Sequence, residues 1–387
     1  MQQALATVAT LVMLSAVAAF VTRLSAGKIR LVWLGVFVCV VGGGVTMMTT
    51  HAYVARWGIR YDIKSDGLSA LMDGTANRPF VFRRLAPDLV TAATHFADTR
   101  LPKRLVDDFL ERSMLVKRYG SETFTRRESI AFHSAYFLVW LSSFLSILAG
   151  AALLRAVCAC PTHFAVIAAI LGMSLIPLTL SAGGYIYDAP ELLLWTTFLA
   201  VAVGARLEFL PLVFALMALN KESVLIAVPC AFPLLSRRVG VAGAIKWSCL
   251  FAVIGAGWLF YVRSKYAHVA GDNQSFFLWG NLRWWTQPLN YLRVAPLFAP
   301  ALQAPRGGNL LLLLLFLIPM RFGWPQLRRD VQWAARIMTL ELVPLFLVSG
   351  ASDETRALSL LFPFLLVIAV LGFAEMFRRQ SSPPVSA

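Results

Sequence analysis

The chain has 387 residues, of which 58% are hydrophobic and 14% charged, and carries a formal net charge of +15. Repeated apolar runs approaching the ~20 residues that cross a bilayer as a helix exclude an ordinary soluble domain. The basic surplus comes with no RRM, zinc-finger or recognition-helix pattern, so membrane topology accounts for it and no nucleic acid is expected as a partner.

Lipid leaves backbone groups unsatisfied unless they bond within their own segment, and these runs are solidly apolar rather than alternating. The expected fold class is therefore all-α: a polytopic membrane protein with about eleven transmembrane helices and two extracytoplasmic interfacial helices. In chain order the spans are 5–21, 31–50, 130–154, 164–181, 192–204, 210–218, 224–235, 241–262, 310–320, 331–349 and 358–373, some too short to cross alone. The first stretch, MQQALATVATLVMLSAVAAFVTRL, lacks a basic n-region and reads as an uncleaved span. If the spans alternate, TRLSAGKIR, SRRVG, RFGWPQLRRD and FRRQSS fall on one side, which the positive-inside rule makes cytoplasmic. The opposite side then receives the long polar segment 51–129, GGYIYDAPE, LNKES, the loop 263–309 and GASDETRA.

Within the first of these, RYDIKSDGLSALMDGTANRPFVFRRLAP carries Asp62, Asp66 and Asp73, followed by Arg78, Arg83 and Arg84. Carboxylates followed by arginines suit transfer from a phosphate leaving group: one acid accepts a hydroxyl's proton and guanidiniums hold the phosphate. A solvated loop has the same composition. Next come two amphipathic stretches, RRLAPDLVTAATHFADTRL with Leu85, Leu89, Val90, Ala93 and Phe96 on one face, and PKRLVDDFLERSMLVKRYG with Leu101, Leu105, Phe109 and Met114. Both read as helices lying in the membrane interface, either covering a cavity or acting as a clamp.

Asp188 and Glu191 stand at the mouth of an apolar helix, Lys221 and Glu222 at the tip of a short hairpin, and Asp353, Glu354 and Arg356 before the last span. Topology delivers all of them to one membrane face, where one site could hold them. Asp188, with Pro190 behind it, also suits a helix cap. The later loop RSKYAHVAGDNQSFFLWGNLRWWTQPLNYLR interleaves Trp279, Trp284, Trp285 and Tyr291 with Arg283 and Arg293, an interfacial belt or a sugar-stacking surface. His51, His95, His133, His163 and His268 lack metal-ligand spacing, Cys39, Cys158, Cys160, Cys230 and Cys249 read as small core residues, and no nucleophile elbow, Walker loop or GxGxxG is present.

This order of features resembles the GT-C superfamily of membrane glycosyltransferases, which use polyprenyl-phosphate-linked sugars on the extracytoplasmic face. Asp62 and Asp66, then the two amphipathic stretches, match the layout of its first outer loop. Ser181, Gly184, Tyr187 and Asp188 resemble the second-loop motif of oligosaccharyltransferase catalytic subunits, with one residue more between Gly and Asp. There the second acid lies two positions after the Asp; here Glu191 lies three away, a departure from the metal-binding pattern. ALNKESVLIAVP is similar to the short hairpin of that fold, and SDETRALSLLFP to a late motif near the lipid phosphate.

The resemblance implies an additional N-terminal helix over 1–28, a GT-C-like core over 29–263 and a variable module over 264–387. It implies transfer of a sugar from a polyprenyl-phosphate carrier to an acceptor hydroxyl of a glycan, lipid or protein, outside the inner (plasma) membrane. Asp66, or else Asp62, would be the base; Arg83, Arg84, Glu354 and Arg356 would lie at the phosphate, with Asp188, Glu191, Lys221 and Glu222 around the substrate. No cofactor is expected, a divalent cation being the less favoured alternative. Two other functions fit a basic polytopic chain: a surface-glycan polymerase or ligase, and a transporter or lipid-carrier flippase, the latter expected to show internal repeats and mid-span charges.

Overall fold

The computed structural model describes residues 27–56, 59, 65–119, 124–180, 184–204, 206–271, 276–296, 303–352 and 354–381. The expected first span, 5–21, and Asp62, Ser181 and Asp353 lie outside the described residues.

Among the described residues the fold is helical, as the unbroken apolar runs require, apart from one small pair of antiparallel strands. Helices α1 (Gly27–Phe37) and α2 (Gly43–Arg56) join through a π turn at Val38–Gly42. The segment 65–119, expected from the sequence to lie outside and called the outer segment for that reason, holds α3 (Leu68–Asp73), α4 (Leu85–Arg100), α5 (Lys103–Arg112) and α6 (Met114–Tyr119). The bundle continues with α7 (Arg126–Cys158), α8 (Thr162–Thr179), α9 (Asp188–Val203), α10 (Leu210–Asn220) and α11 (Ala227–Lys265). A second irregular region contains α12 (Leu278–Trp285) and strands β1 (Val294–Pro296) and β2 (Gln303–Pro305), with Val294 opposite Pro305. The chain ends with α13 (Leu310–Gly323), α14 (Arg329–Ser349) and α15 (Phe362–Ser381).

Each expected span after the first coincides with a helix, but six helical stretches among the described residues have the length and apolarity to cross a membrane. Of the five fewer than eleven, one is the span 5–21, outside the described residues, and the other four have two causes. Helices α9, α10 and α13 have 16, 11 and 14 residues, about 24, 17 and 21 Å at 1.5 Å per residue, short of the ~30 Å hydrocarbon core. The stretch 222–265 counts once although it folds back on itself. Gly240 has φ 73° and ψ 171° inside it, a left-handed turn that costs glycine little because it has no Cβ. Arg238, just before the turn, donates to the Val201 and Ala202 carbonyls at the far end of α9. Phe251 in the returning leg stacks on Phe214 of α10 at 4.7 Å, and Tyr266 ends beside Gly74 of the outer segment.

One core runs through both halves of the chain. Trp195 and Phe198 of α9, Phe214 of α10 and Phe251 of α11 form its centre, and Met338 of α14 and Phe364 of α15 belong to the same cluster. Trp195 also donates its indole N–H to the Leu360 carbonyl at 2.7 Å, tying α9 to the turn before α15.

The two ends of the bundle differ in charge. Arg237 pairs with Asp330 at 3.2 Å and Arg379 stacks on Phe322, so the basic loops meet at one end. At the other end the outer segment caps the bundle through α4 and a second core cluster containing Leu68, Phe82, Val90, Phe132 and Tyr187. Helices α4 and α5 are fastened to the start of α7, where Arg126 pairs with both Asp98 and Asp107. The face read as apolar is mostly not packed on protein. Val90 is buried, whereas Leu89, Phe96, Leu101, Leu105, Phe109 and Met114 are exposed. The second stretch also breaks at Ser113, whose hydroxyl lies 2.6 Å from His133 Nε2.

Candidate functional site

The acids of α9 sit at the capped end of the bundle, where the segment 184–187 enters the helix. Tyr53, at the end of α2, presses its ring so close to Gly184 that a Cβ there would lie 1.9 Å from Tyr53 Cε1. This contact fixes where Tyr185, Tyr187 and Asp188 emerge. Asp188 Oδ2 accepts the Tyr185 backbone N–H at 2.8 Å, a bond back to the entering segment and not the expected helix cap, because Tyr187 holds the N-cap position and no side-chain cap bond is made. The same carboxylate pairs with Arg356 and lies 3.7 Å from Lys221 Nζ. Burial opposes its ionised form, but Arg356, Lys221 and the backbone N–H outweigh burial and hold Asp188 below the usual carboxylate range.

Glu191, one turn further on, is 6% exposed and fully engaged. Its Oε2 accepts from Lys221 Nζ at 2.8 Å and from Ser359 at 3.0 Å, and its Oε1 accepts from Ser223 at 2.8 Å. Arg356 reaches from Asp188 to Glu354 and lies 4.8 Å above the Tyr185 ring. A parallel arrangement surrounds Arg83, which bonds Glu222 through two nitrogens at 2.5 and 3.0 Å and the Tyr187 hydroxyl at 2.5 Å. Burial would lower the Arg83 pKa, but Glu222 keeps it well above its ordinary value. Asn220 completes the wall by donating to the Tyr187 carbonyl at 2.9 Å.

Tyr185 and Tyr187 stack with centroids 5.2 Å apart, and Tyr185 carries the cluster outward by donating its hydroxyl to Asp66 Oδ2 at 2.9 Å. Burial first, and then Asp66, raise the Tyr185 pKa, so it remains a phenol and a donor. The other Asp66 oxygen accepts from Ser65 at 3.0 Å. A carboxylate has about four lone-pair positions, so Asp66 keeps acceptor capacity beyond these two bonds.

Asp66, Arg83, Asp188, Glu191, Lys221, Glu222, Glu354 and Arg356 therefore form one continuous assembly, drawn from five separate stretches of chain. Arg84 is not part of it. Its guanidinium donates to the Leu71 carbonyl at 2.8 Å and pairs with Asp88 of its own helix, bracing α3 against α4.

Comparison with protein-family models, with curated proteins and with solved structures returned no match.

Each oxygen of Glu191 already accepts a bond, and Lys221 and Arg356 stand where a second positive charge would have to enter. Four members were not singled out from the sequence: Tyr185, as the link to Asp66; Ser223 and Ser359, as partners of Glu191; and Asn220, as a donor to Tyr187. Hydroxyls and amides are too common in loops to stand out by residue type. Arg78 flanks the assembly: the backbone N–H of Asn77 bonds the Ser65 carbonyl at 2.6 Å, and Arg78 Nε is buried with no hydrogen-bond partner.

Proposed function

We propose that the chain is a membrane glycosyltransferase of the GT-C type, moving a sugar from a polyprenyl-phosphate carrier to an acceptor hydroxyl on the extracytoplasmic face of the inner (plasma) membrane. The observation that carries this reading is the arrangement around Asp66: a carboxylate with free acceptor capacity is fixed by Tyr185 beside a cluster holding Arg83, Lys221 and Arg356, at one end of a lipid-soluble bundle. Such a site can bind an anionic leaving group and accept a proton within one small volume.

In the transfer, the acceptor oxygen attacks the anomeric carbon and passes its proton to Asp66. The bond from that carbon to the phosphate oxygen breaks, and its electron pair leaves on the carrier phosphate. Arg356 and Arg83 each have a more exposed carboxylate partner, Glu354 at 18% and Glu222 at 27% side-chain exposure, against 7% for Asp188. Phosphate oxygens exchange for these outer partners, while Asp188 and Tyr187 keep the guanidiniums aimed. Arg78, with its unpartnered Nε, adds a third cation at the rim. Arg84 is left in a bracing role.

The reading is tested by incubating purified protein in nanodiscs with a radiolabelled polyprenyl-phosphate sugar and a panel of acceptors. Asp66→Asn is expected to abolish most turnover, by about 10²-fold or more, with carrier binding retained. Full turnover in Asp66→Asn ends Asp66's role, and if Asp62→Asn is then the inactive variant the role passes to Asp62. One observation favours a proton-coupled transporter instead: Glu341 lies within α14 with its Oε2 buried and unpartnered. Loss of function in Glu341→Gln with Asp66→Asn unaffected would select that reading.

A further inference from the structure

Three tyrosines converge where the chain enters α9, and their hydroxyls are used differently. Tyr185 donates to Asp66 at 2.9 Å, and the Tyr187 hydroxyl is bonded by Arg83 at 2.5 Å. Among the described residues, the Tyr53 hydroxyl has no hydrogen-bond partner. A buried tyrosine usually finds one, because its polar tip otherwise gives up water with no return. Tyr53 is only 5% exposed, yet its hydroxyl is not sealed from solvent.

The fold does not use this hydroxyl. Tyr53 serves the core through its ring, which is locked against Gly184 and which a phenylalanine would supply equally. The threonine hydroxyls below it on α2 are spent on their own helix, Thr46 on the Gly42 carbonyl, Thr49 on Val45 and Thr50 on Thr46. The phenol stands in the field of Asp188, Arg356 and Glu191. Both acids are already engaged, Asp188 by Arg356 and Lys221, Glu191 by Lys221, Ser223 and Ser359. What remains is a neutral donor on a fixed ring, close to Arg356.

We infer that Tyr53 is a substrate-binding residue whose hydroxyl donates a hydrogen bond to a phosphate monoester held on Arg356. The inference rests on the function proposed above and adds a ligand contact from α2, a helix that otherwise only positions the site. A phosphate monoester has three non-bridging oxygens, all acceptors, and the planar fork of Arg356 serves at most two of them. The third calls for a donor from another direction. A sugar hydroxyl asks for an acceptor as well as a donor, and the carboxylates around Tyr53 are taken. A neutral donor also suits the place better than a further cation, which would compete with Arg356 for Asp188. Because the ring is already held by Gly184, little freedom is lost when the bond forms.

The test titrates the full chain in phosphatidylcholine nanodiscs with a polyprenyl monophosphate and, separately, with phosphatidic acid, a phosphate monoester on an ordinary lipid. Tyr53→Phe removes one oxygen and keeps the ring against Gly184, so its thermal midpoint should match wild type. Its affinity for the polyprenyl monophosphate should fall about tenfold or more, the effect of losing one hydrogen bond to a charged group. If wild type binds phosphatidic acid as tightly and Tyr53→Phe loses the same factor there, Tyr53 is supported and the carrier named above is overturned. Should Tyr53→Phe not fold, a ring-fluorinated tyrosine in place of Tyr53 reports instead, its fluorine resonance shifting when the phosphate monoester binds. Unchanged affinity in Tyr53→Phe, or a fluorine resonance indifferent to the ligand, overturns the Tyr53 assignment and leaves the glycosyltransferase reading standing. Wild type that binds neither phosphate overturns both.

Discussion

Asp188 shows how a residue can serve two purposes at once. From sequence it divides between a helix cap, which Asn would replace at little cost, and a wall of the reaction site. The structure replaces the cap with something else: Tyr187 is the N-cap residue, and the Asp188 carboxylate accepts the Tyr185 N–H of the entering segment while pairing with buried Arg356. Removing one member of a buried pair leaves an uncompensated charge, which typically costs about 3–5 kcal/mol. Asp188→Asn is therefore expected to lower the thermal midpoint clearly as well as turnover. Linkage sets its pH window. The folded pKa lies below the unfolded value, so the stabilisation is complete above the ordinary Asp pKa of about 3.9 and is lost as pH falls through the folded value. The stability gap between wild type and Asp188→Asn, measured by denaturant titration, should be constant from neutral pH down to about 5 and close at lower pH. A gap that widens on acidification would contradict the assigned pairing. Because Glu191 is saturated by Lys221, Ser223 and Ser359, turnover should be indifferent to EDTA; loss with EDTA and recovery with Mg²⁺ would place a cation where the donor set does not favour one.

At the scale of elements, the entry to α9 depends on a glycine. Gly184→Ala would drive a methyl into the Tyr53 ring, and overpacking of this kind costs about 1–3 kcal/mol. The cost should shrink in a Tyr53→Ala background, a double-mutant cycle that assigns the strain to this pair; an undiminished cost would assign it to the backbone instead. The short helices were the least legible elements. Hydropathy marks α10 and the two legs of α11 as apolar, but a run of apolar residues carries no statement of whether it crosses, stops half-way or turns back. For α11 the short basic loop SRRVG marked where the chain turns back, and Gly240 makes that turn through its left-handed backbone. The amphipathic stretches were legible as helices because their period is local. Their exposed Leu105, Phe109 and Met114 show that the apolar face was not for the protein core, the arrangement expected of helices bedded in the interface.

For the whole molecule, the separation of a basic end from a cluster-bearing end makes topology testable. In a background lacking the native cysteines, Thr99→Cys and Ser65→Cys should react with a membrane-impermeant maleimide from outside intact cells, and Gln326→Cys only after permeabilisation. Labelling of Ser65→Cys and Gln326→Cys from the same side would dissolve the sided site. The sequence by itself determined the material: a helical membrane chain, where most helices run, and which charged residues lie at their ends. Those features follow from hydrogen-bond satisfaction in lipid and from local periodicity, which act over a few residues at a time. Only the tertiary structure decided which of those charges meet. Arg83 and Arg84 are neighbours with the same chemistry, yet one joins Glu222 and Tyr187 while the other braces Leu71 and Asp88, because successive side chains leave the backbone in different directions. Asp66 and Tyr185, 119 positions apart, share a hydrogen bond that depends on how α2, α9 and the outer segment pack, a long-range outcome that no window of sequence contains.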